Sequence, residues 1–464
     1  MKLYDNIQEA LSKKNINIAV GTVYDLMALW MQWYRGKVDD FHTRRIKLAT
    51  GAETTEEIYT MNMAKKVCED YARLLWTEKT KIQLANDNAT KELWKILDSK
   101  ENSFSANIPR WIEKSMALGA GCLVEYKDNA GKVIIDYIDG DVILPYKYTN
   151  SYISGLIVVS QVVEKEDNAE WYFNRLTYHE YDGQTYTVYN ELYKSKDKNT
   201  LGDEISFEER YPEVVNPFIV TTDVPYFQVF RPNVANNYDT GSPLGISVYA
   251  NAIDNFKAID TKYDSFVREF ELGKKRIMID NTSLKAKANI DEEGNVSFVK
   301  YFDENDKAYV AVEGMENQPV KEIDFSLRVE EHVKAINTEL SWLSANVGLG
   351  NNYYKFDGQS MKTATEVVSE NSDTFRSKEA HQIILHDCLY DLVKAVCEMS
   401  GLPAEDITII ADDSIIEDTN AQRERDRTEV SMGAMSLAEY RAKWYGETLE
   451  EAEKKLPKEA DVVE

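Results

Sequence analysis

GLGNNYYKFDGQSMKTATEV, residues 348–367, is the stretch on which the fold turns. It is glycine-rich, aromatic and weakly charged, and it separates two strongly helical patterns. Ahead of it Val329, Val333, Ile336, Leu340, Leu343 and Val347 recur at steps of three and four, which predicts an amphipathic helix buried along one stripe. Behind it the pattern predicts a helix over 363–399, where roughly 37 residues at 1.5 Å each would span about 55 Å, far beyond an average globular helix. The first half of that helix, SENSDTFRSKEA, is poor in apolar residues, whereas Ile384, Leu385, Leu389, Leu392, Val393 and Val396 stud the second. A helix of that length with one solvated half suits a strut in an assembly better than the core of a compact enzyme. Tyr353, Tyr354 and Phe356 lie in the loop itself. Exposed aromatics there would mark a contact site and buried ones ordinary packing; the residues alone favour packing.

Upstream, Ile246, Tyr249, Ile253, Phe256, Tyr263, Val267 and Phe270 predict about seven turns of helix ended at Gly273. Residues 276–324 then read as short strands, notably 296–301 and 308–312 around a polar DENDK turn, a β insertion between two helices. The first hundred residues read as helices. Val23, Leu26, Met27, Trp30, Trp33 and Tyr34 share one face, stopped at Arg35-Gly36, and Thr54 to Glu57 has capping-box spacing ahead of a face carrying Ile58, Met61, Cys68, Tyr71 and Leu75. From Cys122 the texture is β, with GCLVEYKDNAGKVIIDYI and RLTYHEYDGQTYTVYNELY reading as hairpins about DN-AG and Asp182-Gly183 turns. A strand at 407–411, the acidic ADDSIIED segment and helices with a charged tail close the chain. The fold class is α+β, and 464 residues suggest roughly two to four structural units.

Lys and Arg total 54 against 80 Asp and Glu, a formal charge of −26 that opposes tight wrapping of nucleic acid, which works through clustered cations. Cys68, Cys122, Cys388 and Cys397 show no CxxC spacing, no secretory segment is evident, and a reducing cytoplasm is expected. Apolar runs are strand-sized, so no membrane span is expected. Phosphate-loop, HExxH, GxSxG and GxGxxG motifs are missing. His381 and His386 are five apart, on different helix faces, and read as surface or packing residues. Asp139/Asp141, Asp303/Glu304/Asp306 and Asp412/Asp413/Asp418 fall in turns without a companion His or Lys and read as solvated acids. Gly119-Ala120-Gly121 reads as close packing or a helix end. No catalytic residue, metal or cofactor is expected.

Order and motifs together resemble the portal proteins of tailed bacteriophages, in particular those of long-tailed phages and prophages of Gram-positive bacteria. The resemblance is carried by Trp30-Met31-Gln32-Trp33-Tyr34-Arg35-Gly36, by Asn62-Met63-Ala64-Lys65-Lys66-Val67 leading into Asp70 and Ala72, and by the stretch from Trp111 to Gly121. Ser242-Pro243-Leu244-Gly245 follows, then Lys362-Thr363-Ala364-Thr365-Glu366-Val367, ADDSIIED and the closing MSLAEYRAKWYGETLEEA. Singly these are weak; their order along nearly the whole chain makes the match specific.

The resemblance implies a homo-oligomeric ring of about twelve subunits at one capsid vertex, through which double-stranded DNA passes without sequence preference. Residues 1–243 then correspond to the wing, 244–273 and 327–347 to paired stem helices, and 274–326 to the clip. Residues 348–361 correspond to the tunnel loop, 362–400 to the long spine helix and 401–464 to the crown. Implied partners are the terminase large subunit, the head–tail connector protein, and the major capsid and scaffold proteins. Asn351, Tyr353, Tyr354, Lys355 and Phe356 become candidates for the DNA channel, the aromatics through apolar or stacking contacts that tolerate any sequence. Ile246, Ile253, Phe256, Phe270, Val333, Ile336 and Leu340 become stem-packing candidates; the first four find no partner inside their own hairpin beyond the last three, and neighbouring subunits are expected to complete their burial. Another ring-forming connector, or a divalent-metal nuclease built from converging carboxylates, are the alternatives.

Overall fold

The computed structural model describes residues 2–18, 23–47, 51–166, 169–273, 276–280, 286–290, 296–300, 309–312, 320–323, 326–356, 364–411, 419–445 and 449–456. Helices α1 (Lys2–Lys13) and α2 (Val23–Tyr34) and the single turn α3 (Asp39–His42) lead into an antiparallel ribbon, β1 (Thr43–Lys47) with β2 (Glu53–Glu57). Helix α4 (Met63–Leu75), strand β3 (Lys81–Gln83), α5 (Asp87–Leu97) and α6 (Phe104–Leu118) follow. Next come the hairpin β4 (Gly121–Lys127) and β5 (Val133–Asp139), then β6 (Ile143–Thr149), β7 (Tyr152–Glu166), β8 (Ala169–Tyr181), β9 (Thr185–Ser195) and β10 (Asp203–Ile205). The turn α7 (Phe207–Arg210) and strands β11 (Phe218–Thr221) and β12 (Phe227–Phe230) complete this part. Strands β6 to β10 form one antiparallel sheet in sequence order, with β11 added on β9, while β12 joins β4 and β5 in a second sheet.

Helix α8 (Ile253–Leu272) and helix α9 (Val329–Asn346) enclose five short strands, β13 (Arg276–Asp280), β14 (Ala286–Ile290), β15 (Val296–Lys300), β16 (Tyr309–Val312) and β17 (Val320–Ile323). The β insertion expected between two helices is there, with β13 central, parallel to β16 and antiparallel to β17. After the loop comes α10 (Ala364–Ser400), a helix of 37 residues, then β18 (Thr408–Ile410), which pairs with β3 from the other end of the chain. Helices α11 (Thr419–Ser431), α12 (Leu437–Tyr445) and α13 (Leu449–Lys454) close the described chain.

The apolar half of α10 is core: Leu385, Leu389, Leu392, Val393 and Val396 are buried, and the helix packs on α4, β4, β5 and β12. The expectation of a solvated first half needs correcting for its described residues, because Thr374, Lys378, His381 and Gln382 are all buried. The long stem of Lys378 goes under with its ammonium 5.7 Å from the Phe375 ring, which shows how a polar sequence can still form an inner face. His381 is a packing residue: its Nδ1 accepts from Asn233 N at 2.9 Å and its ring meets Tyr71 edge-on.

Two helix starts also differ from the periodicity. Thr54 to Glu57 is not a capping box but part of β2, and the helix behind it begins at Met63. The helix expected from Ile246 starts at Ile253, after a single 3-10 turn at Ala250–Ala252. The intervening segment is held out of the helix by α6, where Val248 N and Ser247 Oγ both donate to Met116 O. Gly119 caps α6 at φ +83°, and a Cβ there would lie 2.5 Å from the Ile246 backbone carbon, so the close packing read from GAG is a backbone-on-backbone crossing.

Candidate functional site

Helices α8 and α9 run antiparallel, tied by polar rungs seven residues apart on each helix. Asn346 Nδ2 donates to Asn255 Oδ1 at 2.6 Å, Lys262 Nζ meets Glu339 Oε1 at 2.8 Å, and Glu269 meets His332 Nε2 at 3.7 Å and Arg328 at 2.7 Å. Hydrogen bonds from Arg328 hold the Glu269 carboxyl down to about 2. A seven-residue spacing keeps the rungs along one seam, which sets the register of the pair.

The ribbon β1–β2 is fastened to α8 by two buried carboxylates. Asp260 accepts from Met61 N at 2.8 Å, Thr60 Oγ1 at 2.9 Å and His42 Nε2 at 3.0 Å. His42 Nδ1 accepts from Val38 N at 2.8 Å, so its ring proton sits on Nε2 and points at Asp260. Burial pushes the Asp260 carboxyl up, against the opposing hydrogen bonds from Met61, His42 and Thr60. One turn on, Asp264 accepts from Arg268 Nε at 2.8 Å and from Arg44 and Tyr59 N at 3.2 Å each. Sequence periodicity gives no signal for these anchors, because the partners they hold on and beside the ribbon lie some two hundred residues away.

The stem candidates divide. Ile246, Phe256, Ile336 and Leu340 are closed within the chain, Phe256 by the Trp33 and Tyr249 rings at 5.7 and 5.4 Å. Ile253 and Val333 are half-buried. Phe270, 43% exposed, faces outward, with the Phe266 ring against it at 5.2 Å. The expectation that neighbouring copies complete the stripe therefore cannot include Ile246 or Phe256, which the amino-terminal helices already cover. Trp342, unmarked by the sequence pattern, is 61% exposed on α9.

The loop after α9 is latched at its root. Gly348 at φ +84° turns the chain beneath α10, where a Cβ would sit 2.7 Å from Ser377 Oγ and 3.2 Å from the Tyr71 hydroxyl. Tyr71 donates to Val347 O, and Gly350 N donates to Thr374 Oγ1 at 3.2 Å. Farther out, Ser341 Oγ donates to Asn351 O, Tyr354 N to Ser344 Oγ at 3.1 Å, and Phe356 N to Asn337 Oδ1 at 2.7 Å. The aromatics expected to be presented together are split by these bonds. Tyr354 is 7% exposed, and Phe356 packs half-buried against Phe266 and Tyr263 at 5.6 and 6.4 Å. Burial first, and the neighbouring Asp70 charge second, push the Tyr354 hydroxyl far above its ordinary range. Asn351, Tyr353 (40% exposed) and Lys355 lie at the surface. Residues 357–361 of the loop lie outside the described residues.

Among the described residues no group of three or more His, Cys, Asp or Glu is placed to hold a metal, and no helix is long and apolar enough to cross a membrane. Asp139 pairs with Lys114 at 2.9 Å, while the clusters at Asp303 and Asp412 lie outside the described residues. What the arrangement offers is mechanical: a braced helical hairpin, a β module at one end, and a loop latched at the other against the longest helix.

Residues 22–461 match the profile of the family described as Phage portal protein, SPP1 Gp6-like, and the chain belongs to that family. That family is structural, a virion component, and its description names no host. No curated protein matches the chain. Among solved structures, a chain of the virion of the native gene transfer agent (GTA) particle is similar at TM-score 0.41 and 9% identity, covering 91% of this chain and 93% of that one. A chain of the neck of the native GTA particle, computed with C12 symmetry, is similar at TM-score 0.41 and 8% identity, over 82% and 88% of the two chains.

Proposed function

We propose that copies of this chain close into a ring of about twelve at one capsid vertex, forming the channel by which terminase packages double-stranded DNA and through which the DNA later leaves. The reading is carried by the family match over 22–461, and the helix–β module–helix–loop–long helix order is consistent with it. Residues 1–243 serve as the wing, α8 and α9 as the stem, and 274–326 as the clip that docks terminase and then the head–tail connector. Residues 348–361 serve as the tunnel loop, 362–400 as the spine and 401–464 as the crown; capsid and scaffold proteins surround the wing. Ile253, Phe270 and Trp342 are the stem residues left for a neighbouring copy, since a large exposed aromatic is a typical interface anchor.

The charge follows from sliding. A conduit that gripped phosphates through many cations would stall its cargo, and about twelve copies at −26 each sum to about −312, a field that disfavours sticking. Asn351, Tyr353 and Lys355 are the exposed members of the loop set, and Tyr353 and Lys355 suit sequence-independent contact with DNA. Procapsids assembled with and without this chain, supplied with terminase, ATP and DNA, test the reading by nuclease-protected DNA. Protection only when the chain is present supports it; equal protection without it refutes it.

A further inference from the structure

Glu125, in the middle of β4, is 1% exposed, and neither of its carboxylate oxygens has a hydrogen-bond partner among the described residues. Strand pairing sets Gln228 of β12 opposite Leu123, and Glu125 N donates to Tyr226 O at 3.1 Å, so Glu125 and Gln228 share one face of the ladder at diagonal positions. Gln228 is buried as well. Its Nε2 donates to Pro225 O at 2.9 Å, while its Oε1 has no partner. Flipping the amide would set Oε1 against the Pro225 carbonyl, acceptor to acceptor, so Pro225 fixes the orientation. Three buried oxygens on this face, two of Glu125 and one of Gln228, therefore have no hydrogen-bond partner among the described residues, which is expensive for each and most of all for an ionised carboxylate. A proton on the carboxyl removes the buried charge. A metal ion is the other means of satisfying facing oxygens, but no group of three ligating side chains among the described residues is placed to hold one.

We propose that Glu125 is held in the fold as a neutral carboxylic acid beside Gln228, making the junction of β4 and β12 with the overlying α10 a proton-dependent lock. The ionisable groups around it are Cys122 on β4, Asp136 and Tyr137 on β5, Tyr186 on β9, and Cys388 and Asp391 on α10. None of these is a cation; Arg175 on β8 acts on Asp136. Burial pushes the Glu125 carboxyl up to about 8 against a smaller opposing pull from Gln228, and the charges of Asp391 and Asp136 add to the rise.

The sign follows from linkage. An unfolded glutamate ionises near 4.5, so the stabilising proton is fully in place below that pH and is lost as pH rises toward about 8, above which the effect is flat. Within that window the unfolding constant rises by about tenfold per pH unit relative to a chain lacking the group. Urea unfolding of the full-length protein and of Glu125→Gln between pH 5 and pH 9 reads that difference, while infrared spectroscopy in heavy water reads the carbonyl band of a neutral carboxylic acid. Expected are a native band at neutral pH that disappears at high pH, its absence in Glu125→Gln, and a variant whose stability lacks the native slope. Infrared on native protein carrying isotope-labelled glutamate needs no variant to fold. A native protein with no neutral-acid band at pH 7, a variant with the native slope, or a variant that fails to fold although it mimics the neutral acid, overturns the proposal.

Discussion

Replacing the loop aromatics one at a time separates folding from DNA contact, because the structure buries them unequally. Tyr354 is buried, and an aromatic side chain of roughly 150–250 Å² at about 25 cal/mol per Å² gives a loss of about 4–6 kcal/mol on truncation to alanine. Unfolding entropy of about 2.1 cal/mol/K per residue over 464 residues is roughly 1 kcal/mol/K, so Tyr354→Ala lowers Tm by about 4–6 °C. Phe356→Ala, half-buried against Phe266 and Tyr263, costs about 2 kcal/mol, and Tyr353→Ala less than about 1 kcal/mol. Calorimetry on the purified protein gives the order Tyr354, Phe356, Tyr353. Tyr353→Ala with Lys355→Ala then lowers nuclease-protected DNA in procapsids at nearly unchanged Tm. Equal Tm losses at Tyr353 and Tyr354 would refute the packing argument, and normal packaging by the Tyr353/Lys355 variant would remove the proposed DNA contact. A triple alanine variant cannot make the distinction, since it mixes the two effects.

Further outcomes follow from the same geometry. Gly348→Ala combines a left-handed backbone with a Cβ 2.7 Å from Ser377 Oγ and destabilises by about 2–3 kcal/mol, whereas Gly183→Ala, at φ +101° in open space, costs only about 1 kcal/mol, both read by urea unfolding. Phe270→Asp leaves a folded monomer and abolishes rings in native mass spectrometry, while Phe256→Ala weakens the protomer itself by about 3–5 kcal/mol. Burial lowers His381 from 6.5 to about 4, so the folded state keeps it neutral while the unfolded state charges. Its contribution is present above pH 6.5 and lost as pH falls toward 4, and His381→Gln flattens stability against pH by one proton in that window. Deleting residues 296–312 leaves rings intact and abolishes terminase capture in a pull-down.

The parts of the fold legible in the sequence are those whose partners are near in the chain. The stripe from Ile336 to Val347, the apolar half of α10 and the hairpins about Asp128 and Asp182 each write their own period, and the structure keeps them. The β1–β2 ribbon was not legible. Thr54 to Glu57 satisfies the spacing of a helix cap equally well, and what makes it a strand is its pairing with Thr43–Lys47 and the clamp of Arg268 on Glu56 and Asp264. Helix α8 starts late for the same kind of reason, since Ser247 and Val248 are claimed by Met116. At the loop, composition shows three aromatics but not which of them Ser344 and Asn337 draw inward. Glu125 carries no local signal either; it is buried under elements from distant parts of the chain, β12 and α10 among them.

Electron microscopy of the purified full-length protein tests the central claim most directly. Rings with a central hole wide enough for a DNA duplex, built from about twelve copies in which α8 and α9 line the channel, are the predicted result. Compact monomers or closed dimers without a hole, at concentrations where the protein is folded, would contradict it.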